Sequence, residues 1–195
     1  MIRRLLINLT AVLALTACAH AQAGSWTIDP AHSAAQFSVR HMGISTVRGA
    51  FTKLTGAVNY DPADPAKTSI EATIDAGSID TRVEGRDKDL RSPNFLDVEK
   101  YPTLVFKSKR VEPSGPGKLK VAGDLTIHGV TKEVVLDVDG PSSPVKDPRG
   151  NLHMGASAST RISRKEFGVS GAPAMVGDEV SIVLDVELVM PAQPK

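Results

Sequence analysis

From Ser25 onward, apolar and polar residues alternate with a period of two, the spacing of a strand with one dry face. Ile70, Ala72, Ile74 and Ala76 alternate with Glu71, Thr73 and Asp75, and Leu119, Val121, Gly123, Leu125 and Ile127 alternate with Lys120, Ala122, Asp124 and Thr126. Val134, Leu136 and Val138 stand opposite Glu133, Asp137 and Asp139. Leu152, Met154, Ala156, Ala158, Thr160 and Ile162 form one long face, and Val180, Ile182, Leu184, Val186, Leu188 and Met190 form another. Shorter runs place Ala35, Phe37 and Val39, then Leu104 and Phe106, on single faces. Between Val47 and Tyr60 the phase slips: Val47, Gly49 and Phe51 are odd, while Leu54, Gly56, Val58 and Tyr60 are even. Such a slip turns every later side chain to the other face unless a bulge absorbs it, so a bulge is predicted near Thr52 to Leu54. Turn residues at Glu112 to Gly117 and at His128-Gly129 predict antiparallel hairpins, and Gly140 to Gly150, with Pro141, Pro144 and Pro148, predicts a longer loop.

One stretch departs from this pattern. Thr81 to Phe106 carries charge at almost every second or third position before a Ser92-Pro93-Asn94-Phe95-Leu96 step. The spacing predicts a short helix over Val83 to Arg91, with Thr81 and Glu84 as a capping box, and a second turn from Asn94 to Val98. In a strand-rich domain this segment reads as a lid or plug.

About eight antiparallel strands with one apolar face each close as a barrel or stack as a sandwich, and the pattern admits both. Small residues in line with the large ones, namely Ala35, Gly49, Gly56, Ala72, Ala76, Gly123, Ala156 and Ala158, favour a barrel with space inside. Against this stands the reading that they admit a bulky neighbour or tight coiling.

The first residues form an address. Arg3 and Arg4 precede a mostly apolar run from Leu5 to Ala17, followed by small residues, as in a secretory signal. At roughly thirteen residues the run falls short of the ~20 that a membrane-spanning helix needs. Domain boundaries are therefore read as 1–23 for the signal and 24–195 for one folded domain. Leu15-Thr16-Ala17-Cys18 fits a lipoprotein box, making Cys18 a candidate lipidation site and a contact with the membrane. Ala19-His20-Ala21 and Ala21-Gln22-Ala23 fit ordinary cleavage, which discards the only cysteine. In that case no disulfide supports the fold, and the apolar core of about 170 residues must do so alone.

The net charge of +1 falls to about −1 once Arg3 and Arg4 are removed, with acids and bases interspersed. A nucleic-acid binder would show a basic stripe and aromatic platforms, and the chain shows neither. His32, His41, His128 and His153 lack paired ligand spacing, so no metal is expected. There is no nucleophile elbow and no phosphate loop. Glu84, Asp87 and Asp89 belong to the charged helix, where a solvated face is the simpler account. By its residues alone the chain reads as a binder, with no cofactor.

Further motifs carry a resemblance. They begin with Trp26-x-Ile28-Asp29-x-x-His32-Ser33-x-x-x-Phe37-x-Val39-Arg40-His41-Met42 and Val47-Arg48-Gly49-x-Phe51. Arg86-Asp87-x-x-Leu90-Arg91-Ser92-x-x-Phe95-x-Asp97-x-x-x-Tyr101-Pro102-Thr103 follows, then Gly123-Asp124-Leu125-Thr126-Ile127-His128-Gly129-Val130-Thr131-Lys132. Arg164-Lys165-x-Phe167-Gly168 and Gly177-Asp178-Glu179-Val180 complete the set. Together, from about Ser25 to Met190, they resemble the YceI-like family of periplasmic proteins. One departure is Ser163, where the family often has Asn before Arg. The resemblance implies an all-β fold, an eight-stranded antiparallel lipocalin-like barrel with a short helical lid segment, often a homodimer. It implies an interior that holds an isoprenoid lipid, an isoprenoid quinone or a polyprenyl pyrophosphate, in a periplasmic carrier or reservoir rather than an enzyme. On that basis Phe37, Val39, Phe51, Phe106, Leu125, Met154, Ala156, Ala158 and Phe167 are expected to line the tunnel. Arg40, His41, Arg86 and Arg91 are expected to meet the head group, and Asn94 and Phe95 to close one end. The alternatives are a lipid-modifying enzyme using the same cavity through His32 or His41, and a structural envelope stress protein with a filled barrel.

Overall fold

The computed structural model describes residues 24–192, so the signal segment and Cys18 lie outside the described residues. The strands in chain order are β1 (Gly24–Ile28), β2 (Ala34–His41), β3 (Ser45–Phe51), β4 (Leu54–Tyr60), β5 (Ser69–Asp75) and β6 (Ile79–Asp80). The helix α1 (Glu84–Arg91) follows, then β7 (Thr103–Gly115), β8 (Lys118–Ile127), β9 (Val130–Asp139), β10 (Val145–Lys146), β11 (Leu152–Ser163) and β12 (Val176–Met190).

The long strand β12 organises the closure. One edge carries β11 from Glu179 to Met190, while the other carries β2 and then β1, through pairs such as Ile182 with Phe37 and Leu188 with Ile28. β1 and β2 thus act as a single bent strand. β3 and β4 follow it as a second one, pairing Gly49 with Phe37 and Val58 with Trp26. Counting each bent pair once, the sheet runs through β5, β7, β8 and β9 and returns to β11 and β12 as a closed eight-stranded antiparallel barrel. The short β6 pairs with the end of β3, and β10 pairs with the start of β11.

The expected phase slip is where β3 gives way to β4. Thr52 and Lys53 leave the ladder and donate from their backbone nitrogens to the Ser78 carbonyl and hydroxyl, each at 3.2 Å. This interruption lets odd-numbered Phe51 and even-numbered Leu54 both face the interior. The bend between β1 and β2 is held by Asp29 N–H donating to the Glu187 carbonyl (2.8 Å) and Glu187 N–H donating to Ser33 Oγ (3.0 Å). The hairpin after β7 is tighter than predicted. Strand pairing continues to Gly115, leaving Pro116-Gly117 as the turn. Pro113 is tolerated there beside a register shift, one of the places a sheet admits proline. His128-Gly129 forms a two-residue turn with φ of 52° and 74°, both in the left-handed region that such hairpins require.

The helix lies where the spacing placed it, but its start is built differently. Thr81 does not cap it. The N-cap is Val83, with no side-chain bond, because Arg82 at φ 64° turns the chain between Thr81 and the first helical residue. Thr81 instead donates from its N–H (2.9 Å) and hydroxyl (2.5 Å) to Asp87 Oδ1, which is buried. The predicted second helical turn is a non-helical turn over residues 93–96. It buries Phe95 and Leu96 in a cluster with Ile79, Leu104, Ile127, Ile162 and Phe167. Asp75 pairs with Thr103, and Ile127 with Val130, at this lid end. At the opposite end Asn59 pairs with Ser69, and Leu152 with Met190, around a second cluster holding Trp26, Ile28, Val58 and Leu188.

Candidate ligand cavity

Inward-facing side chains enclose a cavity of about 270 Å³ that reaches from Ile79, Leu90, Phe95 and Leu96 at the lid end to Tyr60, Thr68, Leu119 and Pro141 at the other. Its length against its small volume makes it a narrow channel. The wall is hydrocarbon over almost its whole extent, and the polar residues on it are Gln36, Tyr60, Thr68, Thr160 and Arg164. The structure places Phe37, Val39, Phe51, Phe106, Leu125, Met154, Ala156, Ala158 and Phe167 on this wall.

The small residues divide into two groups. Ala35, Ala72, Ala156 and Ala158 line the cavity, while Ala76 is buried under the lid. The glycines make room for neighbouring side chains. A Cβ on Gly49 would fall 2.5 Å from the Phe37 ring and one on Gly123 2.6 Å from the Phe106 ring, while one on Gly56 would meet Ile28 and the Glu71 carbonyl. For Gly49, Gly56 and Gly123 the bulky-neighbour reading therefore replaces the open-space one.

Of the residues expected at the head group and lid, Phe95 alone lies on the wall; Arg40, His41, Arg86, Arg91 and Asn94 do not. Arg40 is exposed and donates to Thr46 Oγ1 (2.8 Å) and the Gly43 carbonyl (2.6 Å), bracing the β2–β3 turn. His41 ends β2, paired with Ser45 and Val176. Arg86 donates to Thr81 Oγ1 and its carbonyl. Arg91 donates to the carbonyls of Gly77 (2.8 Å) and Ile79 (2.5 Å). Exposed Asn94 donates from Nδ2 to Asp89 Oδ1 (2.9 Å). The guanidinium groups of Arg86 and Arg91 thus fasten the lid to the segment before it.

Arg164 is the basic residue that does reach the wall, 5% exposed. Its Nε, Nη1 and Nη2 donate to the carbonyls of Gly177, Val169 and Val176 at 2.8 to 2.9 Å. Burial pulls its guanidinium below the ordinary value, partly offset by the charge of Asp178. Its motif position gave a signal for importance, but none for burial. Ser163 beside it accepts from Glu166 N–H and donates to Asp178 Oδ2 (2.9 Å), so the turn over residues 165–167 keeps a side-chain oxygen where Asn is usual.

Outside the barrel, the fold assembles histidines that are far apart in sequence. Asp29 Oδ2 lies 2.8 Å from His32 Nδ1, and Glu187 Oε1 lies 2.7 Å from His153 Nδ1, whose Nε2 is 3.3 Å from Asp147. Asp29, His32 and Glu187 bring one ligand atom each within 4.8 Å of one another. Hydrogen bonds that His153 donates to Glu187 and then to Asp147 raise its pKa, and a bond that His32 donates to Asp29 raises that of His32. None of these five residues lines the cavity.

Comparison with known proteins places the chain. Residues 26–188 match the YceI-like domain model. A UPF0312 protein of Vibrio cholerae is 37% identical over 180 residues, covering 90% of this chain and 94% of that one. The crystal structure of Burkholderia cenocepacia BcnA superposes with a TM-score of 0.72 at 27% identity, covering 84% and 99% of the two chains. A polyisoprenoid binding domain from Saccharophagus degradans, implicated in plant cell wall breakdown, shares the fold with a TM-score of 0.62 at 14% identity, covering 85% and 98%. With the family model spanning the barrel from β1 to β12, this chain belongs to the YceI-like domain family.

Proposed function

We propose that the chain is an exported binding protein that takes one long isoprenoid lipid into its barrel, as a periplasmic carrier or reservoir. The observation that carries this reading is the wall itself: a narrow channel, apolar almost from end to end, inside a closed barrel. A prenyl chain is slender, long and apolar. Burying it at ~25 cal/mol per Å² supplies affinity without directional contacts along the tail. The description of the Saccharophagus domain as polyisoprenoid-binding supports the same ligand class. Catalysis is not favoured, because the histidine–carboxylate pairs lie outside the barrel and, among the described residues, the cavity brings no nucleophile and base together.

The test is native mass spectrometry of the protein exported by its own signal, followed by organic extraction. One isoprenoid molecule per chain is expected, and the intact mass reports at once whether Cys18 is acylated. A protein that is empty, and stays empty after incubation with prenyl lipids, would overturn the reading in favour of a structural role.

A further inference from the structure

The cavity end away from the lid carries a hydroxyl left without a partner among the described residues. Thr68, directly before β5, lines the cavity and is 8% exposed, and its Oγ1 is buried without a hydrogen-bond partner among the described residues. Tyr60, the last residue of β4, lines the cavity as well. Because Asn59 pairs with Ser69, Tyr60 and Thr68 are the next residues along the two strands. They stand side by side. Tyr60 packs against the cluster that contains Trp26, and the Trp26 indole Nε1 is likewise buried with no partner among the described residues. A buried polar group left unpaired costs about 1–3 kcal/mol, and native structures keep few of them. Of the two, Thr68 Oγ1 lies on the wall of the hydrocarbon channel, and it is explained if a ligand brings a complementary oxygen there.

The surroundings select the kind of oxygen. Among the described residues the one basic side chain on the cavity wall is Arg164, and it lies toward the lid, where Val169, its carbonyl partner, packs with Phe95 and Phe167. Lys67, beside Thr68, is exposed and paired with Asp64, and Asp61 follows Tyr60 directly. A pyrophosphate would meet carboxylates there rather than cations. Burial, and then the charge of Asp61, raise the Tyr60 pKa, which keeps its phenol protonated and able to donate. Resting on the lipid-binding reading above, we infer that the bound lipid lies with an uncharged, oxygen-bearing head group, a carbonyl or hydroxyl, at Thr68 and Tyr60 and with its tail beneath the lid.

Two probes separate this inference from the reading beneath it: decylubiquinone, which has a carbonyl head, and squalene, an isoprenoid hydrocarbon with no oxygen. Both are added to the exported protein stripped of bound lipid, and bound probe is counted after gel filtration and extraction. Trp26 is the only tryptophan, and a quinone quenches indole fluorescence only at short range. Decylubiquinone should bind and quench Trp26, and squalene should bind without quenching. Thr68→Val keeps the side-chain shape and removes the orphan hydroxyl. It should weaken decylubiquinone about 3- to 10-fold, leave squalene binding unchanged, and make the unliganded protein no less stable in urea. Tyr60→Phe should weaken decylubiquinone in the same direction, an independent check should Thr68→Val fold poorly. Unchanged decylubiquinone affinity in both variants, or binding without quenching, would overturn the head-group placement while the lipid-binding reading stands. Failure of both probes to bind would overturn the two together.

Discussion

Gly123 is kept without a side chain by what faces it. A Cβ there would lie 2.5 Å from the Lys107 carbonyl oxygen and 2.6 Å from the Phe106 ring. The ring can tilt, but the carbonyl belongs to the neighbouring strand and cannot. Gly123→Ala should therefore cost about 1–3 kcal/mol, the range for overpacking a filled site, read as a lower urea midpoint. An unchanged midpoint would mean that β7 can yield at this point. The example shows what a single residue discloses in sequence. Alternation assigned Gly123 to the inner face correctly, but smallness alone could not tell empty space from a seat for a phenyl ring. Ala156 and Ala158 lie on the cavity wall, whereas Gly49 and Gly123 lie under Phe37 and Phe106. The arginines carry a similar lesson. Arg91 and Arg164 stand out as cations, yet their partners are the carbonyls of Gly77, Ile79, Val169, Val176 and Gly177, and a backbone acceptor leaves no mark on the residue type.

At the scale of elements, α1 is a strongly polar helix that docks mainly by hydrogen bonds, with Leu90 as its one residue on the cavity wall. Buried Asp87 fixes its first turn by accepting from both donors of Thr81. Asp87→Ala leaves those donors unpaired, at about 1–3 kcal/mol, and the loss should appear locally. Faster amide exchange over residues 84–96 and faster lipid release are expected, and exchange like that of the parent would show that Asp87 does not hold the lid. A second polar device ties β1, β11 and β12 together through Asp29, His32, Asp147, His153 and Glu187. His32 and His153 have raised pKa values in the fold. Their stabilisation is full below the unfolded value of about 6.5 and is lost as pH rises through the higher folded value. The carboxylates act in the other direction. The bond from His32 holds Asp29 low, while Asp147, pushed up by burial, is brought down to about 2 by its bonds to Asn151, His153 and Arg149. Their stabilisation is present above the ordinary carboxylate range and is lost on acidification. The thermal midpoint should therefore decline between roughly pH 6 and 8, and His153→Gln should flatten the decline. An identical slope in that variant would remove His153 from the account.

For the whole molecule, closure is what turns legible strands into a cavity. Alternation identified the inner faces, and the odd-to-even slip marked the bend between β3 and β4, because both are consequences of a period of two. Barrel or sandwich stayed open on that pattern, since closure depends on long-range registers. The seam between β9 and β11 consists of three pairs centred on Val138 with Ala158, and nothing local in either strand announces them. The same seam decides how the channel should be tested. Ala156, opposite Val186, and Ala158, opposite Leu184, both line the cavity from β11, and isobutyl groups in place of their methyls would project into it. Ala156→Leu/Ala158→Leu should abolish the lipid content seen by extraction. The single variant Ala156→Leu lies outside the three seam pairs and controls for damage to closure at Ala158. Overpacking costs typically 1–3 kcal/mol where a core is already filled. Where a side chain instead enters space reserved for a ligand, the unliganded protein should lose less than that. The outcome expected of Ala156→Leu is a urea midpoint near that of the parent together with a bound-lipid fraction reduced to a minor one. Normal lipid content in the double variant would mean that the tail runs elsewhere, and a large loss of stability in the single variant would mean that Ala156 faces packed core and not the channel.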